Sequence, residues 1–264
     1  FVVIWTTTPW TIPGNRAIAF SPEISYGLYQ IADASDGSLA KPGEQLLLAD
    51  LLAEDVAKQA KMMLSRVRTV EQAELSTLVC GHPFRSLGYE FEVPLLPGAH
   101  VTADAGTGFV HTAPGHGEDD FELMTSTYSE YAAKNPDAFS LVEPDGSYGP
   151  KVPYFAGKRI LTPEGKDGDA NGAVIKALIE KGKLLAKGNL RHSYPHSWRS
   201  KAPVIFRATP QWFVAIDRKM PGFGGKTLRE MAMTAIAQTK WYPPRGQNRI
   251  GAMVEGRPDW VLSR

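Results

Sequence analysis

The sequence predicts an α+β fold: a strongly bent sheet or β-barrel core with helices packed around it. Three observations carry this. Short β-prone runs recur along the chain and are broken by proline and glycine; a few segments show helical periodicity; and the two kinds of segment are mixed without the regular strand–helix–strand alternation of a parallel α/β sheet. At 264 residues, with 43% hydrophobic and 22% charged residues, the chain has the material for a good core and for one large domain with or without a smaller lobe.

Residues 1–6 and 16–20 read as strands. Pro9, Pro13 and Gly14 force the segment between them out of regular structure and put its hydroxyls on a loop. Residues 24–31 read as a strand buried on both sides and 45–49 as a short one. Asp50 then has the chemistry of an N-cap for a helix with Leu51, Leu52, Val56, Ala60, Met63 and Leu64 on one face. From Val67 to Val93, runs broken by Gly81, Pro83 and Gly88 predict two or three strands. Residues 109–112 form another, and residues 118–133 a helix with Phe121, Met124, Tyr128 and Tyr131 at helical spacing, stopped by Asn135-Pro136. A second amphipathic helix spans 169–182 and closes at Gly182. Residues 203–214 read as two short strands punctuated by prolines, 227–239 as a helix with Leu228, Met231 and Ile236 inward, and the chain stops in a strand-like run.

The balance of charge divides the chain. Residues 1–185 carry 15 Lys and Arg against 24 Asp and Glu, net −9, and residues 186–264 carry 14 against 4, net +10. The expected organisation is a core over 1–185 and a basic return segment over 186–264. The basic segment either meets an anionic partner or neutralises an acidic surface elsewhere in a parent protein. A chain that begins without Met inside an apolar run and ends in another reads as an insertion cut from a longer host. With no apolar run of 18 residues, neither a membrane span nor a signal peptide is expected, and the single Cys80 fits a reducing, cytoplasmic setting without a disulfide framework.

Two stretches hold the chemistry: Trp5-Thr6-Thr7-Thr8-Pro9-Trp10-Thr11-Ile12-Pro13-Gly14-Asn15 and His111-Thr112-Ala113-Pro114-Gly115-His116-Gly117-Glu118-Asp119-Asp120. They read as two walls of one pocket. Gly115-x-Gly117-x-x-Asp120 has part of the spacing of a dinucleotide loop, but an aspartate in the third glycine's place repels pyrophosphate and suits a cation such as a substrate ammonium. Against this stands simple capping of a helix that starts at Glu118, for which one carboxylate suffices. His111 has three readings: base, hydrogen-bond donor or satisfied core histidine. A metal site from His111, His116 and Asp120 lacks an obvious fourth ligand, and Pro195 argues against a helical His192/His196 pair, so no metal and no cofactor are expected. No Gly-x-Ser-x-Gly elbow is present, and Thr6, Thr7, Thr8 and Thr11 have no neighbouring base, so their economical role is to hydrogen-bond a substrate and a water.

Together with Gly106-Thr107-Gly108-Phe109-Val110 and Phe121, these stretches closely resemble the signatures of the editing insertion of class I aminoacyl-tRNA synthetases, found in the isoleucyl, valyl and leucyl enzymes. Tyr194-Pro195-His196-Ser197-Trp198-Arg199, Phe206-Arg207-Ala208-Thr209-Pro210-Gln211-Trp212-Phe213 and Arg257-Pro258-Asp259-Trp260-Val261-Leu262-Ser263-Arg264 resemble the isoleucyl branch, with Ser197 departing from the cysteine common there. Signatures of the His-Ile-Gly-His and Lys-Met-Ser-Lys-Ser types are absent, so the chain is not expected to activate an amino acid.

The resemblance implies hydrolysis of valine wrongly joined to the isoleucine tRNA, with the 3′ acceptor end of that tRNA and the rest of the synthetase as partners. Isoleucine against valine is the standard illustration that a missing methylene is worth only about 1–3 kcal/mol, which is why a second sieve is needed. It implies Asp120 on the α-ammonium, and His111 against the amino-acid side chain and ribose, setting the size limit. It also implies Trp5, Thr6, Thr7 and Thr8 along the pocket, Thr8 and Asn15 on the attacking water or the ester, and Thr11 supporting the wall. His111 as general base remains a rival. A tRNA-end or valine binding module without turnover, and a metal-dependent hydrolase, are the other functions weighed.

Overall fold

The computed structural model describes residues 1–190 and 193–263. His192 therefore lies outside the described residues. The chain forms two compact units, Phe1–Ala208 and Thr209–Arg264.

In the first unit, β1 (Ala17–Phe20) is buried at all four positions, β2 (Tyr26–Ala34) follows, and β3 (Gln45–Ala49) presents Leu46 to Ala49 to the core. A short 3-10 turn leads into α1 (Ala53–Ala60), whose Ala53, Val56 and Ala60 are buried. The helix stops earlier than its periodicity suggests. Lys61 adopts a left-handed conformation with φ 52°, and Met62, Met63 and Leu64 belong instead to β4 (Met62–Val70), paired with β2 from Ala34↔Met62 to Tyr26↔Val70. Apolar residues at 56, 60, 63 and 64 satisfy a helical template over a short window, but the ladder on β2 offers their backbone a better partner.

A short helix α2 (Gln72–Leu75) and the strands β5 (Val79–Gly81), β6 (Glu92–Pro97) and β7 (Phe109–Thr112) complete the sheets. One sheet has the order β5-β6-β1-β7, with β1 parallel to β6 and antiparallel to β7. The other has the order β3-β2-β4 and is antiparallel. The α+β expectation holds in its bent-sheet form. Two register shifts interrupt the β2–β4 pairing, and among the described residues no sheet closes into a barrel. Residues 1–6 are not a strand; they contribute an isolated bridge, Val2↔Leu47, and then enter a 3-10 helix over Pro9–Gly14.

The helix expected over 118–133 is split into α3 (Glu118–Thr127) and α4 (Ser129–Lys134) at Tyr128, with φ −123° and ψ 39°. Thr125 and Ser126 send their hydroxyls back to the carbonyls of Phe121 and Glu122, which competes with helix propagation at this point. Helix α5 (Ala170–Glu180) buries Ala170, Val174, Ala177 and Leu178, and Gly182 follows it at φ 60°, as the sequence indicates.

The second unit pairs β8 (Phe213–Val214) with β9 (Trp260–Val261) and holds α6 (Leu228–Gln238) and α7 (Gly246–Glu255). Thr227 and Glu230 form a full capping box at the start of α6. Helix α7 has no counterpart in the sequence reading, because Gly246 and Gly251 weaken its helical signal.

Candidate active site

The two chemistry-bearing stretches meet at the end of the β1–β7 pair. β1 follows directly on Asn15-Arg16, and its register with β7 sets Ala17 against Thr112 and Ile18 against His111. A strand pairing therefore delivers the second stretch to the first across about a hundred residues of chain.

Within the first stretch, the backbone N–H of Thr8 donates to the hydroxyl of Thr6 at 3.0 Å, and the two hydroxyls lie 3.4 Å apart. The carbonyl of Thr8 accepts from the backbone N–H of Thr11 at 2.9 Å and from its hydroxyl at 2.8 Å. Thr7 is exposed, Thr6 and Thr8 are half-buried, and Thr11 is buried. Trp5 is 42% exposed, and a Cβ placed on Gly106 would lie 3.4 Å from its side chain, so the Gly106 turn packs against that indole. Glycine suits Gly106 for a second reason, a φ of 84°.

The second stretch is tied to the first at four points. The Thr11 hydroxyl lies 2.9 Å from Nε2 of His111. Asn15, only 2% exposed, accepts the backbone N–H of Thr112 on its side-chain oxygen at 3.2 Å. The His116 ring sits edge-on to Trp10 with centroids 4.8 Å apart. Gly14 passes so close to Ala113 and His116 that an added Cβ would stand 3.3 Å from each. His111 is 7% exposed, and burial pushes its imidazole down to about 4; burial does the same to His116, also to about 4. His116 donates from Nδ1 to the carbonyl of Phe206 at 2.9 Å, and Ala208 N–H donates to the carbonyl of Gly115, so residues 206–208 are strapped onto this loop.

Asp120 lies in the first turn of α3, yet α3 has no side-chain cap at its N-terminus. Asp120 reaches out of its helix and accepts the backbone N–H of Ala113 at 2.9 Å, which fastens the helix to the end of β7. Burial raises its carboxyl above the usual value, while the Ala113 bond works the other way. Glu118 and Asp119 are exposed.

Four further side chains hold the 3-10 turn from outside the two stretches or at their edge. Arg16 donates from Nη1 to the carbonyls of Pro13 and Asn15, both at 3.0 Å, and lies 4.2 Å from the ring centre of Phe91. His82 reaches the carbonyl of Ile12 at 2.9 Å and stacks on Tyr89. Asn171, on α5, accepts Trp10 N–H at 3.0 Å, and the Tyr148 hydroxyl donates to the Trp10 carbonyl. Sequence reasoning missed all four. Arg16 alone left a signal, as a cation at the head of an entirely apolar run.

A cleft of about 360 Å³ in the first unit, lined by Leu39, Lys41, Ile179, Glu180, Lys181, Gly182 and Leu184, includes none of the Thr, Asn, His or Asp residues above. Among the described residues no group of three or more His, Cys, Asp or Glu comes together as a metal site, and no helix is long and apolar enough to cross a membrane.

The family model for class I tRNA synthetases (I, L, M and V) matches residues 16–264. The chain belongs to this family. The isoleucine–tRNA ligase of Bradyrhizobium diazoefficiens is 54% identical over 272 residues, and that of Rhodopseudomonas palustris 53%; each match covers 100% of this chain and 27% of the relative. The chain thus spans about a quarter of the length of the curated class I relatives it matches. Among solved structures, the editing domain of a Plasmodium knowlesi cytosolic leucyl-tRNA synthetase aligns with 70% of this chain and 83% of its own at 13% identity, with a TM-score of 0.44.

Proposed function

We propose that this synthetase segment is a hydrolytic editing domain that removes valine from the isoleucine tRNA. The observation that carries the reading is the junction of the two stretches. The Thr6–Thr8 hydroxyls stand on a turn whose far end is hydrogen-bonded to His111, and Asp120 is fastened to Ala113 beyond the end of the same strand.

In this reading Asp120 receives the substrate ammonium. A carboxylate already partly desolvated gains more from an opposite charge than an exposed one does, because less water screens the pair. Thr8 and Thr6 position the attacking water and the ester. Neither hydroxyl is a base at neutral pH, so rate comes from proximity and orientation, helped by backbone N–H groups of the turn at the developing oxyanion. Asn15 serves through the strand end it braces, and His111 presents the wall that limits side-chain size. A turn with its carbonyls and N–H groups tied down by Arg16, His82, Asn171 and Tyr148 suits positioning chemistry, in which misplacement by about 1 Å can cost about a hundredfold.

Incubation of the chain with valyl-tRNA of the isoleucine type tests this: valine should be released faster than in buffer. A rate equal to buffer, with binding retained and weakening steeply as salt rises, would favour the alternative, a module that binds the tRNA end without turnover. The +10 net charge of residues 186–264 is the feature that favours that alternative.

A further inference from the structure

We propose that Thr11 is a positioning residue that fixes His111 as its Nε2–H tautomer, which takes the imidazole out of contention as the general base. The argument is a count of protons. A threonine hydroxyl carries one proton, and the oxygen of Thr11 lies 2.8 Å from the carbonyl of Thr8 and 2.9 Å from Nε2 of His111. A carbonyl has no proton to give, so the Thr11 proton is directed to Thr8. The Thr11 oxygen is then left with lone pairs only, and the contact with His111 is a hydrogen bond only if Nε2 carries the proton. The neutral ring has one N–H, so Nδ1 holds the bare lone pair.

That lone pair is closed off. Nδ1 of His111 is buried and has no hydrogen-bond partner among the described residues. Of the two nitrogens, the one that could accept a proton from water is shut away from water, and the other is already protonated and engaged with Thr11. Burial also disfavours the imidazolium that a base would become. His111 thus serves as a neutral, oriented wall, and the carbonyl of Thr8, through Thr11, sets the ring's protonation pattern from the opposite stretch. The consequence for the reaction rests on the hydrolytic reading above, but the tautomer does not.

The test is a long-range proton–nitrogen NMR spectrum of the chain with labelled histidine, the His111 signals being assigned by their loss in His111→Gln. The expected spectrum at neutral pH shows Nε2 in the range of a protonated imidazole nitrogen and Nδ1 in that of an unprotonated one. Thr11→Ser, which keeps the hydroxyl, should retain this pattern. Thr11→Val, which keeps the shape but not the oxygen, should move both nitrogens toward the averaged values of exchanging tautomers. An Nδ1–H tautomer or an imidazolium in the unaltered chain overturns the proposal, as does a Thr11→Val spectrum identical to the original. If Thr11→Val does not fold, the unaltered chain and Thr11→Ser still decide. Loss of hydrolysis with the expected spectrum would count against the editing function and not against the tautomer.

Discussion

His82 bridges two segments 70 residues apart. Its Nδ1 accepts the backbone N–H of Phe84 at 3.1 Å, so its proton sits on Nε2 and is donated to the carbonyl of Ile12 at 2.9 Å. Protonating this ring would forfeit the Phe84 bond and charge a side chain that is 3% exposed, and burial holds it down to about 3.

The consequence is a pH-dependent stability with a definite sign. His82, His111 and His116 have values of about 3, 4 and 4, whereas an unfolded histidine titrates near 6.5. Between these values the unfolded chain binds protons that the native chain refuses, so stability present above pH 6.5 is lost as pH falls toward 4. Each histidine contributes a slope of up to about 1.4 kcal/mol per pH unit. Asp120, with a raised carboxyl, acts in the opposite sense, its burial cost easing as pH falls through its own value. Urea unfolding at pH 7.5, 6 and 5 should show falling stability, with a shallower fall in His82→Gln; a flat profile would refute the assignment.

Asp120 has two separable jobs. Asp120→Asn keeps an oxygen able to accept Ala113 N–H but removes the charge, so valine release should drop by about 10- to 100-fold with stability little changed. Asp120→Ala also orphans the Ala113 N–H and should lose about 1–3 kcal/mol in addition. Single-turnover hydrolysis and thermal unfolding, measured on both variants, separate the two jobs.

His111→Ala removes a ring packed beneath Thr11. On the proposed editing function, the expected result is hydrolysis of isoleucyl-tRNA by the variant and not by the unaltered chain, since one methylene is worth only about 1–3 kcal/mol once no wall excludes it. Parallel assays on valyl- and isoleucyl-tRNA check this, and continued sparing of isoleucine would place the limit on another residue.

Arg16 is 8% exposed and is satisfied by two carbonyls and the Phe91 face, with burial lowering its pKa. Arg16→Met fills similar space but leaves the Pro13 and Asn15 carbonyls without their donor. The cost should be about 2–4 kcal/mol in denaturant unfolding, with hydrolysis weakened because the threonine turn loses its anchor.

Thr227→Ala removes the capping box of α6 in the second unit and should cost about 1 kcal/mol, read as reduced helicity and a lower unfolding midpoint.

Some of this was legible locally. The strand at 45–49, the strand at 109–112 and the Gly182 stop each follow from signals within a few residues. The fate of Met62 to Leu64 was not, because a helix face and a sheet ladder compete for the same apolar residues and the winner is set by β2, some 30 residues earlier. Residues 1–6 show the converse: β-prone in composition, they find among the described residues a single bridging partner, Leu47.

By itself the sequence determined the chemistry available, namely the threonine hydroxyls, the carboxamide of Asn15, the imidazole of His111 and the carboxylate of Asp120, and the family that arranges them. Only the tertiary structure decided what each group is free to do. Asp120 turned from a cap of its own helix to a tie on Ala113, Asn15 was spent on Thr112, and His111 received its proton pattern from Thr11. The reason is physical. A side chain's type is written at its own position, but its hydrogen-bond partners, its exposure and hence its protonation are properties of neighbours that the β1–β7 pairing brings from a hundred residues away.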